Sequence, residues 1–228
     1  MAERAAGRDG WRRRLYLPAY TTVEAARFAE TKPRTVAYWH YGRGTRVGPA
    51  LSGKKRYAPL SYLQLVEVAF VASFRQRGVP LQRIRKARDY VAKVFGAEFP
   101  FLQYEFKTEG LHILMDAASF DPEFEDLIVA DEAGQMAWER IMLERFDQFD
   151  YEGDLAVRWH PRGRNIPIVI DPRISFGAPI LEQTGIPTWV MKGRFEAGET
   201  TEEIEADFGV TEDDLRYALE FEEVRLAA

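Results

Sequence analysis

The sequence predicts a mainly α-helical chain with small β elements, an α+β fold, on two observations. Apolar residues recur at helical spacing over several stretches, while alternation at the period of a strand is confined to short runs. Helix-start signals, Thr or Ser with a carboxylate three residues on, also recur along the chain. A third observation divides the fold. Residues 1–95 carry twenty Lys and Arg against six Asp and Glu, and residues 96–228 carry eleven against thirty, so a block of +14 precedes one of −19. Opposite blocks imply different partners, and only the first suits phosphate.

Composition narrows the class. At 228 residues, 46% hydrophobic and 13% aromatic, the chain can build folded cores and is too apolar for disorder. It has no cysteine, which removes disulfides and thiolate metal sites and fits a reducing cytoplasm. Arg12, Arg13 and Arg14 are not followed by an apolar signal region, and no run of about 18 apolar residues occurs, so a cytoplasmic protein without membrane contact is expected.

Element by element, residues 20–30 predict a short helix with Val23, Ala26 and Phe28 inward and Thr21, Thr22 and Glu24 in its first turn. A second follows at once, with Thr31 as cap, Pro33 in the first turn and Val36 and Trp39 as anchors. Two short helices this close form a helix-turn-helix. Its second helix would offer Lys32, Arg34, Thr35 and Tyr38 to DNA, with His40 as a further candidate. Residues 42–56 are Gly-rich and basic, the signature of a wing carrying Arg46, Lys54, Lys55 and Arg56 along a phosphate backbone. Residues 60–77 place Leu63, Val66, Phe70 and Phe74 on a core helix ended by Gly78, and Leu81, Ile84, Val91 and Val94 mark another with Arg83, Arg85, Lys86 and Arg88 opposite.

The middle region, 96–165, predicts a hairpin of strands 104–107 and 111–115, a helix over 134–149 with Trp138, Met142, Phe146 and Phe149 on one face, and a strand through Leu155, Val157 and Trp159. Asp121, Glu123, Glu125 and Asp126 lack the Gly and ligand spacing of a calcium loop and read as solvated acids. His40, His112 and His160 share no metal-ligand spacing, and no phosphate loop or nucleophile elbow occurs. No catalytic, cofactor-binding or metal-binding residue is expected, and the chain is read as a non-enzyme.

In the last segment Ile166, Ile168 and Ile170 predict a strand, followed by a loop with Gly177 and Pro179 and a helix over 187–196 closed near Gly198. Thr200 with Glu203 and Thr211 with Asp214 make capping boxes for two more helices separated by Gly209, with Ile204, Phe208, Leu215, Ala218, Leu219 and Val224 inward. This second helix-turn-helix carries Glu212, Asp213, Asp214, Glu220, Glu222 and Glu223 against Arg216 and Arg225. Phosphate repels such a surface, so it should meet protein, with Trp159, Phe176 and Trp189 as aromatic anchors.

Two resemblances sit on these elements. Residues 18–90 resemble the winged helix-turn-helix of the MerR family through Arg34 and Thr35 opening the recognition helix, Arg56 and Tyr57 ending the wing, and the pattern of Arg75, Gly78, Leu81 and Ile84. The chain departs from that family where Gly96 and Pro100 replace its long dimerisation helix and where its metal-sensing cysteines are absent. The last segment resembles a small antitoxin-associated domain through Asp171, Pro172, Gly177, Pro179, Thr184, Ile186, Pro187, Gly198, Thr200 and Ile204, with Gly185 standing where that family usually has Arg.

The whole chain thus resembles VapB-type antitoxins. That resemblance implies a winged DNA-binding domain at 18–95, a mixed region at 96–165 and an antitoxin-associated domain at 166–228. It further implies a PIN-type ribonuclease toxin as partner, double-stranded operator DNA, a homodimer and autoregulation of the operon. The alternative is a one-component MerR-like regulator with a small-molecule effector.

Overall fold

The computed structural model describes residues 10–42, 49–51, 55, 57–102, 143–153 and 155–224. The expected hairpin at 104–115, the acids at 121–126, His112, Trp138, Met142 and most of the wing lie outside these residues. Helices and a small sheet give the α+β fold expected, in two compact units, residues 1–156 and 157–228.

In the first unit, α1 (Gly10–Arg14) leads to α2 (Thr22–Phe28) and α3 (Pro33–Tyr41). Thr21 caps α2. Its hydroxyl accepts the Glu24 N–H at 3.1 Å while the Glu24 carboxylate accepts the Thr21 N–H at 2.8 Å, satisfying two orphan donors of the first turn. The expected cap of α3 is displaced by one residue. Glu30 turns the chain at φ 51° and the Thr31 N–H is used on the Ala26 carbonyl at 2.8 Å, so Lys32 occupies the cap position and Pro33 opens the helix, where its missing N–H costs nothing.

α4 (Tyr62–Gln76) starts at a second reciprocal box, Ser61 with Gln64, and is buried from Tyr62 to Phe74 except at Gln64. A helix apolar on all sides belongs at the centre of its unit. Leu63, Val66, Phe70 and Phe74 are all fully buried, as their spacing predicts. Phe70 stacks on Phe149 at 5.3 Å between centroids and meets Phe146 at 5.4 Å and Phe101 at 6.2 Å. α5 (Leu81–Phe95) turns Ile84, Ala87 and Val91 inward and ends at Gly96, φ 62°. Val94, expected on that face, is 48% exposed, because it falls about 60° off the stripe set by Ile84 and Val91.

One charged pair is built into this core. The Arg88 Nε of α5 donates to the fully buried Glu67 carboxylate of α4 at 2.6 Å, and Arg88 Nη2 donates to the Glu98 carbonyl at 3.0 Å. Residues 143–146 are helical, but Phe149, expected to close that helix, instead begins β1 (Phe149–Glu152). β2 (Leu155–Trp159) contains the division between the units.

β3 (Ile168–Ile170) and β4 (Pro179–Leu181) complete a sheet of order β1-β2-β3-β4. β3 pairs antiparallel with β2 through Trp159 and Ile170, and with β4 through Ile168 and Leu181, Val169 and Ile180, and Ile170 and Pro179. Residues 179–181 were expected in a loop. Pro179 is tolerated there because a strand with one partner asks nothing of its missing N–H. α6 (Thr188–Glu196), α7 (Thr201–Phe208) and α8 (Glu212–Phe221) pack together through Met191, Ile204, Leu215, Ala218 and Leu219, all essentially buried. The boxes of Thr200 with Glu203 and Thr211 with Asp214 form as the sequence predicts, and Gly209 at φ 64° ends α7. At the far end of α8 the buried Thr188 hydroxyl donates to the buried Glu222 carboxylate.

Candidate functional site

In the first unit the packing of α2 on α3 fixes which side of α3 faces outward. Val36, Trp39 and His40 are buried at 0%, 2% and 3%. His40 is therefore a core residue and not part of the surface considered for it. Lys32 and Arg34 are exposed, and Thr35 and Tyr38 are half-buried on the side away from Trp39. They form a short polar face of donors at the start of a helix. The Trp39 carbonyl accepts the Ala50 N–H at 2.7 Å, the Tyr41 hydroxyl donates to the Lys55 carbonyl at 3.2 Å and Arg85 Nε donates to the Pro49 carbonyl at 3.1 Å. α3 and α5 thereby hold both ends of the basic stretch after α3. Lys55 and Tyr57 are exposed, while Arg46, Lys54 and Arg56 lie outside the described residues.

The second unit offers a different surface. Its described residues hold fourteen Asp and Glu against seven Lys and Arg. Most of those cations are engaged within the unit. Arg194 pairs with Glu199 and with Asp207, the latter at 2.6 Å, and Arg216 with Asp213 at 2.7 Å and Glu220 at 3.2 Å. Lys192 lies 3.8 Å from Glu196. Between Thr201 and Phe221 a single cation faces eight acids. The Glu203 carboxylate is held below its usual range by the Thr200 backbone N–H and hydroxyl, so it stays charged.

Three aromatics were expected to anchor a partner here, and they do not share one environment. Trp159 is fully buried on β2, opposite Ile170, and is corrected to a core residue: its strand is covered on the face it occupies. Trp189 on α6 is 60% exposed and Phe176 is 87% exposed. Phe176 sits in a tight turn, Ser175–Gly177, where Ser175, Phe176 and Gly177 all have positive φ, at 46°, 55° and 80°. A clasp not legible in the sequence holds the base of that turn. Asp171, fully buried, accepts the Arg173 N–H and Nε at 2.9 Å each, Arg173 Nη2 at 2.7 Å and Arg158 Nε at 3.2 Å. Burial opposes ionisation of this carboxyl, but the Arg173 and Arg158 bonds outweigh it and hold it below its usual range. Arg158 also reaches Glu182 at 3.2 Å.

His160, also buried, lies 3.4 Å from an Arg164 guanidinium nitrogen. Among the described residues no group of three or more His, Asp and Glu is placed to hold a metal ion, and no helix is long and apolar enough to cross a membrane.

Residues 168–221, from β3 to the end of α8, match DUF433, a family described as a protein of unknown function. Over 227 residues the chain is 28% identical to "Putative antitoxin VapB45" of Mycobacterium tuberculosis, a match covering 91% of this chain and 95% of that one. The crystal structure of Rv2018 from Mycobacterium tuberculosis is similar at a TM-score of 0.75 and 29% identity, over 90% of this chain and 99% of that one.

Proposed function

We propose that this chain is a non-enzymatic antitoxin of a type II toxin–antitoxin pair, acting in the cytoplasm. Its partner is a PIN-type ribonuclease, and its first unit represses the shared operon by binding operator DNA as a homodimer. The observation that carries this reading is the acidic, aromatic-bearing surface of the second unit within a chain that is similar along nearly its whole length to VapB45. A nuclease that grips RNA presents basic surface. An acidic protein is steered to such a surface quickly and covers it.

The division of labour follows charge. Residues 18–95 form the MerR-like winged domain that takes the DNA, with Lys32, Arg34, Thr35 and Tyr38 on the recognition helix and Arg46, Lys54, Lys55 and Arg56 in the wing. Residues 96–165 form the mixed region, and residues 166–228 form the domain that takes the toxin. A single helix-turn-helix spans too few base pairs for operator specificity, so two copies bind an inverted repeat, and the dimer contacts lie in 96–228.

Co-expression with the open reading frame beside its gene tests the reading. The chain should relieve the growth arrest that frame causes and co-purify with its product. Operator affinity should fall with salt at a log–log slope of about −0.9 per phosphate contact. Arg34→Ala should abolish operator binding and leave rescue intact. Absence of a ribonuclease in that frame, or a rescue lost together with operator binding, refutes the proposal.

A further inference from the structure

We infer that the Ser175–Gly177 turn is a preformed anchor that presents the Phe176 ring to an apolar pocket in a basic protein partner. The inference rests on the antitoxin reading for the identity of that partner.

The argument begins with backbone strain. Three successive residues with positive φ connect β3 to β4, and only the third is glycine. Such a conformation is met at least cost by glycine or asparagine, because a Cβ crowds the following carbonyl oxygen. A phenylalanine there costs stability, and its ring, 87% exposed, recovers little by burial within its own unit. Strain of this kind persists where the surroundings over-determine it, and it collects at binding sites. Here the surroundings are the Asp171 clasp below the turn, the Ile174 N–H on the Asp171 carbonyl at 3.0 Å, and the Gly177 and Ala178 N–H groups on the Ile174 and Ser175 carbonyls at 2.9 and 3.0 Å.

The partner's chemistry follows from what flanks the turn. Arg158 and Arg173, the cations at its base, are both tied to Asp171, and Arg158 also to Glu182, which is 40% exposed. An aromatic held rigidly on an acidic surface fits an apolar pocket with a basic rim. Because its backbone is ordered before contact, binding costs little further entropy. The RNA-gripping face of a ribonuclease has that rim.

The test uses the full chain and the purified ribonuclease from the adjacent reading frame. Phe176→Asn keeps a residue at ease with positive φ and removes the ring, whereas Phe176→Trp keeps a ring. Phe176→Asn should weaken binding by roughly 30-fold or more, through faster dissociation, while its urea midpoint equals or exceeds that of the unmodified chain. Phe176→Trp should bind within about threefold of the unmodified chain. The chain has no cysteine, so a fluorophore on Phe176→Cys reports this position alone, and its emission should shift to the blue when the ribonuclease is added. If Phe176→Asn binds as well as the unmodified chain, the inference falls and the antitoxin reading stands. If the unmodified chain does not bind, both fall. A loss of self-association by light scattering with unchanged ribonuclease binding assigns the turn to a second copy and overturns the inference.

Discussion

Replacing Asp171 by Asn keeps its shape and removes its charge. The carboxylate accepts four charge-assisted or backbone hydrogen bonds, three from Arg173 and one from Arg158, and is itself fully buried. The amide would retain the Arg173 N–H bond but turn its own donors toward a guanidinium. Breaking a fully buried pair costs about 3–5 kcal/mol. Here the side chains of Arg158 and Arg173 are 26% and 31% exposed, so water reclaims part of their hydration. The expected loss is therefore about 2–3 kcal/mol, or roughly 30- to 150-fold in the unfolding equilibrium. Because the folded carboxyl titrates below its usual range, its contribution is complete at neutral pH, above its unfolded pKa of about 4, and is lost as pH falls through the folded value. Urea unfolding by circular dichroism across the acid range, with amide exchange at Ile174 and Gly177, measures both effects. Asp171→Asn should lower the midpoint at neutral pH, accelerate exchange in the turn and flatten the acid limb. An unchanged midpoint together with an unchanged acid limb would show that the clasp does not hold the turn.

Three further substitutions follow from the packing. Glu67→Gln should destabilise the chain by about 3 kcal/mol in thermal unfolding, because it leaves the Arg88 guanidinium, 14% exposed, with only the Glu98 carbonyl as a full partner; a change below about 1 kcal/mol would mean that the pair is as well solvated as a surface one. Phe70→Ala should cost about 3–5 kcal/mol by urea titration, since it opens a cavity among Phe101, Phe146 and Phe149. Thr211→Ala should cost about 1 kcal/mol and speed exchange of the Asp214 amide that its hydroxyl accepts, with no change if water replaces the cap equally well.

Legibility follows the range of the interactions. The Thr200 and Thr211 boxes and the Leu63, Val66, Phe70, Phe74 stripe are set by residues three or four apart, and the sequence displays them directly. The cap of α3 moved because Thr31 was already committed to closing α2, a competition between neighbours that spacing does not rank. β4 was missed because its partner is β3, reached only across the turn at 171–178, and because Pro179 reads locally as a loop. The same limit applies to function. Lys32 and Arg34 could be placed outward from helical spacing alone, whereas Trp159 and His40 depended on what covers them. The pairing of Glu67 with Arg88, and of Asp171 with Arg158, joins residues thirteen or more positions apart, and nothing in the local pattern marks them.

The bridge between Tyr20 and Leu60 has a consequence for how such chains can vary. Leu60 donates to the Tyr20 carbonyl at 2.6 Å, and its own carbonyl accepts from Ala19 and Tyr20 at 2.8 and 3.0 Å. These three bonds pin the two ends of a stretch about forty residues long against α4, so α2 takes its position from the pinned ends. Loop-closure entropy grows only with the logarithm of length, and lengthening the stretch by half would cost about 0.4 kcal/mol. Insertions and deletions between α3 and Leu60 are therefore nearly neutral for stability, and the reach of the basic segment can drift between descendants while the helices beside it stay in register.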